Sequence, residues 1–188
     1  ASVIPMDYLP MWQRQFRRRK EQLDRSSWYK GMQNKEGRDA IRKRIEIEGS
    51  LSTHSFDTKA AGPKKMWTRP PHKLALDYMW YAGELATSHR VNFTKYYDIA
   101  ERVFPATLHN QNVTDEEQID WLCMSALERL GVGSLREIQE FWDAVSVNEV
   151  KAWSERAAAA LTSVEFQSAD GSWNSAYAPN DIESRLSE

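Results

Sequence analysis

Apolar side chains recur every third or fourth position through most of this chain, and the pattern switches twice to short extended runs, so helices interrupted by hairpins are expected. In residues 5–25, Tyr8, Trp12 and Phe16 stand at i, i+4 and i+8 and form one aromatic stripe. Pro5 and Pro10 limit where that helix can start. Residues 26–37, with Gly31, Asn34 and Gly37, read as a loop. A helix follows over 38–48 with Ile41 and Ile45 inward, stopped by Gly49. A short helix is expected at 53–57, then a loop over 58–69 around Gly62 and Pro63. Pro70 and Pro71 open a strong helix that runs to Ala82, because the first-turn N–H groups that proline lacks have no intrahelical partner. Its expected buried face is Leu74, Ala75, Tyr78, Met79 and Ala82, with Lys73, Leu76, Asp77 and Trp80 on the other side. Gly83 ends it, and the runs 84–90 and 95–99 flank a turn at 91–94, which predicts a hairpin.

The same element order then returns. Thr114 with Glu117, Ser134 with Glu137 and Ser146 with Glu149 are three capping boxes, each marking a helix start. The first of these helices carries the stripe Ile119, Leu122, Cys123, Ala126, Leu127 and Leu130 and closes at Gly131. The second is expected to reach Asp143 and the third Ala160. Runs at 161–167 and 172–177 flank Asp170-Gly171, a hairpin turn signal. The expected fold is mainly α with small β-hairpins, an α+β chain of tandem winged-helix modules preceded by a helix. The boundaries are a helix and linker over 1–35, one module over 36–105 and a second over 106–188. The two copies share element order and not sequence.

Charge sharpens this picture. The formal net charge is only -2 over 188 residues. Yet residues 1–105 hold 20 Lys and Arg against 12 Asp and Glu, while residues 106–188 hold 5 against 15. A basic half attracts polyanions, of which DNA is the commonest. The single cysteine, Cys123, excludes an intramolecular disulfide and fits a reducing, cytoplasmic compartment. No apolar run is long enough to span a membrane, and the first residues do not form a signal peptide. The four histidines are scattered, so no metal site and no cofactor is expected. No Gly-rich phosphate loop or nucleophile elbow is present.

The candidate constellation is therefore electrostatic. Lys64, Lys65, Arg69 and Lys73 approach and enter the third helix of the first module, while His89, Arg90, Asn92 and Lys95 occupy its hairpin. Lys and Arg there would neutralise phosphates, and the helix N-terminus would add its partial positive charge. The basic end of the first helix, residues 17–20, offers a further phosphate contact or simply a solvated face. Trp80 either stacks on an unpaired base or packs on a neighbouring module. The third helix offers few Arg, Asn or Gln, so sequence-specific base readout is not expected.

One block is recognisable. Phe93-Thr94-Lys95-Tyr96-Tyr97-Asp98-Ile99-Ala100-Glu101-Arg102-Val103-Phe104-Pro105 resembles a segment of the YcaQ-like, or AlkZ-type, winged-helix DNA glycosylases. Lys73-Leu74-Ala75-Leu76-Asp77-Tyr78-Met79-Trp80, Gly83-Glu84-Leu85-Ala86 and Ala1-Ser2-Val3-Ile4-Pro5-Met6 are similar to further blocks of that family, and the 173–177 hairpin matches more loosely. The resemblance implies a bacterial repair protein of tandem winged helices that unhooks interstrand crosslinks or removes alkylated bases by hydrolysing the N-glycosidic bond. The family's Gln–hydrophobic–Gln/Asp catalytic motif precedes the stretch in which this chain begins. The motif is thus expected outside the chain, and the chain is expected to be a fragment. The local look-alikes Gln13-Arg14-Gln15, Gln22-Leu23-Asp24 and Gln118-Ile119-Asp120 are set aside, since the first has Arg at its centre and the others lie in amphipathic helices away from the family blocks. The resulting expectation is binding of double-stranded DNA without catalysis by this segment. The alternative is a protein-interaction or transcription-regulatory module using the acidic second half.

Overall fold

A computed structural model describes residues 4–25, 34–57 and 69–185. The chain divides into two compact units, Ala1–Asn112 and Val113–Glu188. The expected mainly helical α+β fold is what the described residues form.

The first unit opens with a 3-10 helix, Met6–Trp12, that continues as α1 (Gln13–Arg25). The single long helix expected here is therefore tighter at its start. Pro10 lies inside the 3-10 segment, and the narrower turn points Leu9 and Pro10 inward, where a 3.6-residue period would have favoured Tyr8 and Trp12. Helix α2 (Lys35–Glu48) begins earlier than expected, because the Asn34 side chain accepts a hydrogen bond from the Gly37 N–H and caps it. Ile41 and Ile45 are buried as expected. Strand β1 (Leu51–Ser52) and a 3-10 turn at Thr53–Ser55 follow.

Helix α3 (Pro71–Tyr81) starts on the two prolines. It packs against α1, α2 and β2 (Leu85–Val91), and β2 forms a hairpin with β3 (Thr94–Ile99). Packing on several sides corrects the expected face: Leu76 is fully buried, Trp80 packs on the same core, and Leu74 is only partly buried. The sheet order is β1-β3-β2, all antiparallel, with a bulge between Thr87 and His89. Two short helices, α4 (Ala100–Val103) and α5 (Ala106–His109), end the unit.

The second unit contains α6 (Asp115–Leu130), α7 (Leu135–Trp142), α8 (Val147–Arg156) and the hairpin β4 (Leu161–Gln167) with β5 (Trp173–Pro179), then α9 (Ile182–Arg185). All three predicted capping boxes are made, with both reciprocal hydrogen bonds at each. Helix α8 stops at Arg156, short of the expected Ala160, and a 3-10 turn covers Ala158–Ala160. Cys123 is fully buried beside Leu122, Ala126 and Leu127, as a small core residue.

Candidate nucleic-acid interface

Helix α3 and the β2–β3 hairpin carry most of the described candidate residues. Along α3, Lys73, Asp77 and Tyr81 follow at i, i+4 and i+8 and share one helix face, with Trp80 next to them. Across from it, the Lys95 ammonium on β3 sits 3.9 Å from the centre of the Trp80 ring. This cation–π contact takes the lysine partly out of water. That burial, with Arg90 nearby, lowers its pKa, while Asp77 opposes the change. Arg69, just before α3, reaches Asp77 at 2.6 Å. Burial first, and then the nearby Asp77, raise the pKa of the Tyr97 phenol, while Arg69 and Arg90 oppose the change. Arg69, Arg90 and Lys95 thus come from three segments to one neighbourhood around Asp77 and Trp80.

The structure places the expected residues unevenly. Arg69, Arg90 and Lys95 are together, and Lys73 lies one turn before Asp77 with no ion-pair partner among the described residues. Its charge joins burial in lowering the pKa of His72, which stacks on Phe56. His89 stacks on Tyr96 with ring centroids 4.6 Å apart, and its Nδ1 is 2.9 Å from Ser88 Oγ, so it stiffens the hairpin. Lys64 and Lys65 lie outside the described residues. At the basic end of α1, Lys20 is paired with Glu84 and Arg19 donates to Gln22. Trp80 is not the exposed ring that the helical wheel suggests, since Tyr81 and Lys95 cover it.

Two residues escaped the sequence reading. Asp77 is the first: it occupies the centre of the basic cluster, and its i+4 spacing from Lys73 was the available signal. The other is Phe93. It and Asn92 form the two-residue turn of the hairpin, with φ of 63° and 46°. Positive φ at both central positions is the mark of a type I′ turn, which prefers Asn-Gly. Left-handed backbone costs a residue with a side chain about 1–2 kcal/mol. Arg90 braces the turn by donating from Nη1 to the Phe93 carbonyl at 3.1 Å.

The block from Phe93 to Pro105 mostly does scaffold work. Tyr97 is buried. Asp98 accepts from the Ile99 N–H and pairs with Arg102, which in turn donates to the Ile45 and Glu46 carbonyls at the end of α2. Glu101 pairs with Arg42. The three glutamine motifs set aside above are engaged elsewhere. Gln13 donates to the His109 carbonyl, Gln22 accepts from Arg19, Asp24 accepts from Tyr78, and Gln118 is buried against the Val113 carbonyl. The Tyr78 phenol is pushed up to about 12 by burial and by Asp24. Among the described residues, no group of three His, Cys, Asp or Glu side chains is placed to hold a metal, and no helix is long and apolar enough to cross a membrane.

A family model described as DNA glycosylase AlkZ-like matches residues 1–187. No curated protein and no solved structure matches the chain.

Proposed function

The chain belongs to the AlkZ-like family of DNA glycosylases, and from that premise we propose that it holds duplex DNA on the face built by α3 and the β2–β3 hairpin. In this reading residues 36–105 and 106–188 are tandem winged-helix modules. The element order supports it: in the first unit a helix, a short strand, a helical turn, a helix and a hairpin whose strand β3 also pairs with β1; in the second, three helices and a hairpin. The observation that carries the proposal is the gathering of Arg69, Arg90 and Lys95 about Trp80, with Lys73 on the adjacent turn. Cations fixed on rigid elements neutralise phosphates without first paying to be ordered, and phosphate contacts set affinity more than sequence preference. The reading assigns these residues to holding a repair substrate, crosslinked or alkylated DNA, and assigns none of them to bond cleavage.

Fluorescence anisotropy on a labelled duplex tests it. Three to four neutralised phosphates give a slope of log K against log salt of roughly -3, which is about a sixty-fold loss of affinity between 50 and 200 mM salt. Lys73→Ala or Lys95→Ala should make the slope shallower by about 1, alike on unrelated sequences. Binding that ignores salt, or that discriminates strongly between sequences, defeats the proposal.

A further inference from the structure

Phe93 bears two costs that the fold does not recover. It takes the position in the hairpin turn where φ is 63° and glycine is the usual occupant. The residue is also 93% exposed, more than any other large apolar residue among those described. Stability alone favours glycine here, and solubility favours any polar residue. A strained, bare ring at a loop tip is the kind of outlier from which function is inferred. The residues around it show what it meets. Arg90 and Lys95 stand opposite each other on the two strands just behind the turn, and Arg90 is clamped to the Phe93 carbonyl. Behind them the stem is stiffened by the His89–Tyr96 stack and by Ser88 donating to the Tyr96 carbonyl. A rigid arm thus ends in one aromatic ring with the Arg90 guanidinium braced against the turn and the Lys95 ammonium seated further back on Trp80, and this pairing of an apolar tip with basic flanks suits a polyanion with an apolar interior.

We propose that Phe93 is a wedge that enters the base stack of duplex DNA and unstacks one base step. Minor-groove and architectural proteins use apolar side chains this way, while phosphate contacts on either side supply the attraction. The ring stands alone at the tip with nothing packed beneath it, which fits entry between two bases better than a flat platform for one. The inference rests on the duplex-binding reading above and adds to it a named point of insertion.

The test uses the intact chain and a short duplex with 2-aminopurine at successive central positions, since that base brightens when its stack opens. Wild type is expected to brighten one or two adjacent positions, and Phe93→Trp to keep the signal. Phe93→Gly relieves the backbone and so should raise Tm. It should also abolish the brightening and weaken binding about ten-fold, the order expected for one lost base–aromatic stack, with the salt slope unchanged. Equal brightening and affinity in Phe93→Gly overturn the wedge, as does a fall in Tm, which would make the ring a structural residue. Salt-dependent binding by wild type with no brightening overturns the wedge and leaves the duplex reading standing. No binding by wild type overturns both.

Discussion

At the scale of single residues, Gly83 shows how tightly the site is tied to the core beneath it. Its φ is 74°, and a Cβ built there would lie 2.7 Å from Phe16 Cγ. Backbone preference and close approach therefore make the same demand, and α1 can dock on the end of α3 only because no side chain intervenes. Gly171, in the second hairpin, shares the positive φ but has open space where a Cβ would go. Gly171→Ala should then cost only the backbone penalty, about 1–2 kcal/mol, and Gly83→Ala about 2–4 kcal/mol, because overpacking adds to it. Urea unfolding of the two variants separates the contributions. Equal destabilisation would mean that Phe16 moves aside at no cost and that α1 is loosely held.

Elements show which signals a sequence carries on its surface and which it hides. The three capping boxes were legible because each is a local bargain between residues three apart, and all three formed with the reciprocal bonds predicted. Ile41 and Ile45 were legible as one face of a helix buried on one side. Strand β1 was not: its two residues pair with Tyr96 and Tyr97 some forty-five positions away, and no local pattern encodes that. Helix α3 was legible in its ends but not in its faces, since burial on several sides leaves no clean apolar stripe to mark Leu76 and Trp80 as inward. The cations of the candidate site were readable as a cluster, yet the carboxylate among them was not, because Arg69 lies outside the helix that carries Asp77 and no helical repeat encodes their pairing. Asp77 holds Arg69 at 2.6 Å and faces Lys95, so on the proposed duplex reading it would compete with phosphate for the same charges. Asp77→Asn should tighten duplex binding about five-fold and steepen the salt slope by about 1, because one more cation is released to the backbone. Weaker binding in that variant would show that Asp77 serves to position Arg69.

On the scale of the whole molecule, the net charge of -2 is a poor guide, because it is the sum of a unit of net +8 and one of net -10. Each unit also buries its own core: Ile45, Leu76, Tyr78 and Met79 in the first, Leu127, Ile138, Val150 and Trp153 in the second. Cores built within separate compact units need not unfold together. Leu127→Ala should cost about 2–5 kcal/mol as a buried large-to-small change, and the loss should fall on the second unit. Amide hydrogen exchange read peptide by peptide would then report faster exchange over 113–185 and unchanged protection over 34–57 and 69–112. Duplex affinity and its salt slope should stay with the protected unit, while Leu76→Ala should reverse both outcomes by loosening α3 under the basic face. If Leu127→Ala instead strips protection from the whole chain, the two units fold as one cooperative body. If it abolishes binding while the first unit stays protected, the acidic unit helps hold the DNA and the basic face is not sufficient alone.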